Sequence, residues 1–509
     1  MKIYHLLSIS FYFLCTTTLS FAQDYKPPVF TDENRMQKIE DTYQKLDQLF
    51  EDYGKKHDLP SISYGLVVDG KLAHAASFGT INYERNLKAS PQSDYHIASM
   101  TKSFTAMAIL KLRDQGKLSL DDPLEKYVPE AKNLRTLTTD SPKITIRDLL
   151  THHAGFPEDN PWGDRQLGQP DQWLENLYTE GLSFSTPPET AYEYSNLGFS
   201  TLGLVIKKVS GKTYQEYIKE AIFEPLGMND TYWEYSEVPQ DQFAVGYRKE
   251  KGKFVAQPLL HSGSFGAMGG LITSVEDFSK YMGLHLAAWP PRNDEDSGPV
   301  KRSSIREMHH PWNFATVLTN QKNEKGEDCF IIDAYGYGLH HYENCDGRVS
   351  VWHSGGLPGY GSRWRILPDY GFGFVVFANK TYAPTGPILD EAINKLIQWA
   401  DLSPRTLPPS KVLEQRKADL LSVLPEWKNT APEIFADNFF NDNFVSDLQE
   451  KSQKAFDQIG PIQTVSAVVP ENQLRGYFTV KGEKGNLKVW FSLSPEPSPK
   501  IQAFRIQVE

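Results

Sequence analysis

Ser99 is the one serine in the chain with a lysine, Lys102, three residues after it, and it stands where a strand-and-loop segment enters an apolar helix. Residues three apart on a helix share a face, so the amine of Lys102 is held beside the hydroxyl of Ser99. A serine in the first turn also has its own amide at the helix N-terminus, where it can donate to a developing oxyanion. A lysine buried beside other donors can lose its proton and act as a base. Such a pair arises by chance in most chains of this length, so two further groups matter. Tyr194-Ser195-Asn196 follows Glu189 in a turn before an apolar helix, and His353-Ser354-Gly355-Gly356 falls on an expected edge strand. Tyr342-Glu343-Asn344 repeats the tyrosine and asparagine spacing, but it sits in the strand before His353 and its turn, where a cross-strand pair and a turn residue account for it.

These groups need a scaffold. Met36, Ile39, Tyr43, Leu46 and Phe50 recur at three-and-four spacing and predict one helix over 33–53 that lies on a sheet. The sheet's first hairpin is predicted at Ile62 to Val68 and Leu72 to Phe78, around Asp69-Gly70. The Ser99 helix should run to Gln115, with Gly116 as its cap. From about Leu118 to Met282 the pattern is a helical insertion, and strands return at Gly336 to Tyr342, Arg348 to Trp352, Arg363 to Leu367 and Phe372 to Phe377 before a closing helix near Ile388 to Trp399. Pro404, Pro408 and Pro409 mark a stiff connector over 402–410. Beyond it, 411–509 reads as helices followed by four strand-like runs.

Serine with lysine, then tyrosine with asparagine, then a basic residue two before glycine resembles the class C β-lactamases. It equally resembles their relatives, the D-alanyl-D-alanine carboxypeptidases, D-aminopeptidases and esterases of the penicillin-recognising superfamily. The likeness covers roughly 35–400 and extends to Leu149-Leu150-Thr151-His152-His153-Ala154-Gly155-Phe156-Pro157, Glu224-Pro225-Leu226-Gly227-Met228 and Gly269-Gly270-Leu271. It implies an α/β (α+β) fold of the serine β-lactamase and penicillin-binding-protein transpeptidase type, an antiparallel sheet with flanking helices and a helical insertion over 33–401. By the same resemblance Ser99 is the nucleophile, Lys102 helps to deprotonate it, and Tyr194 relays protons to the leaving group. Asn196 holds the substrate carbonyl, Gly355 lets substrate pair along the strand, and the amides of Ser99 and Gly356 hold the oxyanion. His353 stands where many relatives carry lysine, which puts strong β-lactamase activity in doubt, because histidine is often neutral near pH 7. Expected substrates are D-amino-acid peptides, as in cell-wall fragments, or small esters, with β-lactams as slow substrates or inhibitors. The alternative is a penicillin-binding wall protein of slow or no turnover. No cofactor is implied, and 411–509 resembles a small α+β module of the cystatin-like kind.

Lys2, the apolar run Leu6 to Leu14 and Ser20-Phe21-Ala22 have the order of a signal peptide over 1–22, so the mature chain is expected to be periplasmic or secreted. No later stretch reaches the roughly 20 apolar residues of a membrane span. Loss of 1–22 takes the net charge from −11 to −12, which argues against a nucleic-acid partner. Cys329 and Cys345 remain, and in an oxidising compartment they are expected to form a bridge worth roughly 3 kcal/mol. The histidine pairs 152–153, 309–310 and 340–341 lack a carboxylate at metal-site spacing and a His-Glu-x-x-His element, so no metal is expected; His153 is read as packing near the floor of the site. No serine carries the flanking glycines of an α/β-hydrolase elbow.

Overall fold

The computed structural model describes residues 25–323, 325–428 and 432–509; the expected signal segment over 1–22 lies outside the described residues. The chain divides into two compact units, one spanning Phe30–Thr406 and the other Leu407–Glu509 together with the described residues 25–29.

The first unit is built on a nine-stranded sheet. Its strands are β1 (Ser61–Val68), β2 (Lys71–Asn82), β3 (Leu87–Lys88), β4 (Asn313–Leu318), β5 (Ile331–Tyr335), β6 (His340–Asn344), β7 (Val349–Leu357), β8 (Tyr360–Leu367) and β9 (Phe372–Ala378). They lie in the order β3-β2-β1-β9-β8-β7-β6-β5-β4, so the first and last strands of the sheet in sequence are neighbours in space, β1 pairing with β9 antiparallel. The β1–β2 hairpin forms at the expected Asp-Gly pair, whose φ values of 48° and 82° place both residues in the left-handed region, the turn that matches the right-handed twist of the flanking strands.

Three expectations are corrected here. The predicted helix over 33–53 is two, α1 (Arg35–Glu40) and α2 (Tyr43–Lys56), because the Thr42 hydroxyl donates to the Ile39 carbonyl at 2.7 Å and ends the first. The run 336–342 is not one strand: Gly336 to Leu339 turn the chain between β5 and β6, with Gly338 at φ 70° against the Lys102 carbonyl. His353 is on β7, which is not an edge strand. Yet β6 pairs with β7 only from Val349 to Trp352, so the half of β7 from His353 onward is bonded on its β8 side and open on the other.

Alternation along β7 and β8 separates two cores. Val351, Trp364 and Ile366 join the large core shared with the helical insertion, whereas Leu367 joins the core covered by α2 and by the last helix of the unit, Thr385–Trp399. The inner core holds α3 (Thr101–Asp114) and α4 (Asn196–Ser210), each apolar nearly all round and therefore central rather than amphipathic. Numbering by chain order, α5 is Val275–Ala287 and α6 is the covering helix Thr385–Trp399. The Ser195 hydroxyl caps α4 by accepting from the Gly198 amide, and Gly211 closes it at φ 75°. Cys329 and Cys345 are bridged.

The second unit carries α7 (Lys411–Val423) and α8 (Val445–Ile459), then five antiparallel strands rather than the expected four. The two long central ones, Arg475–Gly482 and Asn486–Leu493, alternate buried and exposed residues, which puts one face on a core of its own with Leu420, Phe439 and Phe456.

Candidate active site

Ser99 sits in a single 3-10 turn, Ala98–Met100, that leads directly into α3. Ala98 before it has φ 51°, a left-handed conformation that a side-chain-bearing residue adopts at a cost and that aims the serine into the cleft. The turn is pinned from below by the sheet. Ser362 of β8 donates to the Ile97 carbonyl at 2.7 Å, and a Cβ on Gly355 would collide with that same carbonyl oxygen. Gly355 is thus required by the closeness of the serine turn to β7.

Lys102 is fully buried on the next turn. Its Nζ lies 3.0 Å from the Ser99 Oγ, 2.7 Å from the Asn196 Oδ1 and 3.1 Å from the Met268 carbonyl. The latter two can only accept, so they require two N–H donors. As an ammonium Lys102 donates to all three, the Ser99 Oγ included; once neutral it keeps two N–H donors for the Asn196 and Met268 acceptors and turns its lone pair to the Ser99 O–H. Burial pushes Lys102 down from its usual range to about 7, against the opposing pull of Asp159 and Asp164. The Tyr194 ring lies 4.9 Å from the ammonium position. Burial holds the Tyr194 phenol far above its ordinary range, with the Ser99 side chain offsetting part of the shift, so it stays protonated at neutral pH.

Asn196, expected to hold the substrate carbonyl, is instead fully buried, its Oδ1 accepting from Lys102 and its Nδ2 donating to the Asn160 Oδ1. Asn160 is the carboxamide on the cleft wall. His353 faces the cleft, but both nitrogens are engaged: one is 2.6 Å from the Ser354 carbonyl, which can only accept, so Nδ1 carries the proton and Nε2 accepts from the Tyr335 hydroxyl at 3.0 Å. Burial, then the neighbouring His340 and Lys102, hold its pKa well below the ordinary value. It is a neutral imidazole and no replacement for a lysine cation. Tyr342 lies away from the cleft, in another cavity. The histidine beneath the site is His152, not His153. It takes φ 55°, its Nδ1 accepts from the Ser195 amide at 3.1 Å, and its ring packs 4.4 Å from Tyr194 and 4.5 Å from Tyr335.

Three residues had no spacing signal. Asp159 accepts from the Asn196 and Leu197 amides at 2.6 and 2.8 Å, capping α4 and fixing the turn that carries Tyr194. Asp164 accepts from the Tyr382 hydroxyl at 3.0 Å, and the Tyr382 ring covers Gly356, where a Cβ would lie 2.7 Å from its Cδ1. The cleft encloses about 690 Å³ between Ser99, Tyr194, His353, Gly356 and Tyr382. Its wall carries three carboxylates, Glu158, Asp164 and Glu193, and among the described residues no lysine or arginine.

A buried amine on a serine at the head of a central helix, facing a tyrosine turn and a half-open sheet strand, is the arrangement that the resemblance to the penicillin-recognising serine hydrolases implies. The chain belongs to the Beta-lactamase family, whose model matches residues 46–398. It is 28% identical over 344 residues to Protein flp of Staphylococcus aureus strain NCTC 8325 / PS 47, a match covering 67% of this chain and 63% of that protein. It is 29% identical over 293 residues to Beta-lactamase-like protein 2 of Dictyostelium discoideum, covering 55% and 53%. The matches thus span less than two thirds of the length of these curated relatives. Among solved structures, the octameric penicillin-binding protein homologue from Pyrococcus abyssi aligns with TM-score 0.57 and 25% identity over 92% of this chain and 99% of that one. A class C beta-lactamase aligns with TM-score 0.55 and 20% identity over 71% and 96%, which shows the shared fold.

Proposed function

We propose that the chain is an exported acyl-enzyme hydrolase of D-amino-acid peptides or small esters. Ser99 attacks the substrate carbonyl while neutral Lys102 takes its proton. The amides of Ser99 and Gly356 receive the oxyanion, a contribution of about 3–4 kcal/mol to the barrier for donors of this kind. Tyr194 passes a proton to the leaving group, and water then releases the acyl chain. Asn196 and Asp159 position Lys102 and Tyr194 rather than touching substrate. The observation that carries the reading is the fully buried Lys102 Nζ 3.0 Å from the Ser99 Oγ, in surroundings whose burial lowers the pKa of the amine.

The wall of the cleft supports a substrate preference. With three carboxylates, no lysine or arginine among the described lining residues and a neutral His353, it disfavours a substrate carboxylate, the group a β-lactam must present. Uncharged esters and peptides with a free amine suit it better. Export is supported by the signal-like order of 1–22 and by the Cys329–Cys345 bridge, which persists in an oxidising compartment. We assign 33–401 to catalysis, 402–410 to a connector and 411–509 to a separate module.

Intact-mass analysis of the mature protein after a fluorophosphonate and, separately, a chromogenic cephalosporin, each against Ser99→Ala, tests the reading. One adduct on the wild type and none on the variant is the expected result with the fluorophosphonate. A lasting cephalosporin adduct would favour a penicillin-binding protein of slow turnover, and a wild type that neither reagent labels would remove the catalytic assignment.

A further inference from the structure

The face of β7 and β8 turned away from the catalytic cleft carries a second cavity, of about 320 Å³, against the N-terminus of α6. In a chain of net charge −11, its wall is the reverse of the cleft: Lys322, Arg348, Arg363 and Arg365 line it, with Asp390 as the one carboxylate among the described lining residues. Arg363 and Arg365 are two apart on β8 and so point to the same face. Gly386 and Pro387, in the first turn of the fifteen-residue α6, complete the wall with the positive end of the helix dipole.

Two of these guanidinium groups, those of Arg363 and Arg365, have donors without an acceptor among the described residues. Arg365 is only 8% exposed; its Nη1 pairs with Asp390 at 2.8 Å and its guanidinium lies 5.1 Å from the Tyr342 ring centroid, but its Nε and Nη2 are buried without a hydrogen-bond acceptor among the described residues, as is the Nε of Arg363. Unpaired buried donors of a charged group cost several times an ordinary hydrogen bond, and a planar fork of such donors is matched by a carboxylate or a phosphate. Desolvation, then the like charge of Arg365, pushes Arg363 down to about 10, against the opposing pull of Asp390 and Tyr342.

We infer that this cavity binds a small soluble ligand through an oxyanion, carboxylate or phosphate, held between Arg363, Arg365 and the first turn of α6. The Arg363 guanidinium lies 3.9 Å from the Trp352 ring centroid, and Trp352 stacks at 4.2 Å on His340, which lines the catalytic cleft. An anion that draws Arg363 off that ring therefore acts on a wall of the cleft through one intervening side chain.

The test is calorimetric titration of the full mature chain at low ionic strength with inorganic phosphate and, for the carboxylate source, succinate. The variants are Arg365→Gln, Arg363→Gln, Gln321→Glu and Ser99→Ala. Gln321 lines the cavity and is partly exposed, so its isosteric change supplies a carboxylate without threatening the fold. The expected result is saturable binding to wild type and Ser99→Ala, weakened about tenfold or more in the two arginine variants and in Gln321→Glu. The relative strength of phosphate and succinate identifies which oxyanion the site prefers. Binding that survives all three cavity variants, or that is lost in Ser99→Ala, would place the anion elsewhere and overturn the inference. So would the absence of saturable binding by either anion up to about 10 mM.

Discussion

Lys102 is held between opposed influences: burial strips its charge, while Asp159 and Asp164 favour keeping it, and burial prevails. A base must be neutral, and a lysine pKa lowered to about 7 leaves the amine neutral above that pH and protonated below it. The rate of Ser99 acylation is therefore expected to rise with pH through about 7 and to level off above it. Lys102→Arg cannot be deprotonated in this range, so it should lose about 10²- to 10⁴-fold in kcat/KM together with that limb. A variant that kept the limb would assign it to another group. His353 makes the complementary case. Its nitrogens are both engaged and its pKa is held well below the ordinary value, so it contributes no titration near neutral pH. Installing a permanent cation with His353→Lys is expected to shift kcat/KM about tenfold toward cephalosporins relative to an uncharged ester. An unchanged ratio would show that the lost cation does not set the preference.

Each residue is useful only because of how the elements meet. The serine turn rests on β7 and β8 so closely that Gly355→Ala must push apart Ile97 and Ser362. That change is expected to cost about 1–3 kcal/mol in chemical denaturation and to slow fluorophosphonate labelling of Ser99. Stability and labelling rate both equal to wild type would show that the turn can relax. At the other wall, Asp159→Ala removes the acceptor of two α4 amides and should cost about 1–2 kcal/mol, with a lower kcat because Tyr194 loses its fixed turn. These contacts also show what a one-dimensional reading reaches. Ser99, Lys102 and Tyr194 carry a spacing or a local turn, and the Asp69-Gly70 hairpin carries its own geometry, so both are legible from the chain. Asp159, Asp164 and Tyr382 have neither; Tyr382 meets Asp164 across 218 residues, and only the fold makes them neighbours. The open half of β7 escaped for the same reason, since strand ends are set by where β6 stops pairing rather than by residue type. Gly336 and Gly338 carried a turn signal that their aromatic neighbours masked.

On the scale of the whole chain, the two units have separate apolar cores, with Leu413, Phe439, Phe478 and Phe491 among the residues that close the second one. A core that buries its own apolar surface unfolds as its own cooperative unit. Ser99, its partners and both cavities lie within Phe30–Thr406, so a ligand bonded to Ser99 stabilises that unit alone. Scanning calorimetry of the mature chain is thus expected to resolve two transitions. Fluorophosphonate labelling should move one of them and leave the smaller, assigned to Leu407–Glu509, where it was. If one transition accounts for the whole heat and shifts as a block on labelling, the units unfold together. The C-terminal unit would then be part of the catalytic unit's stability rather than a separate module, and trimming it should cost activity as well as stability.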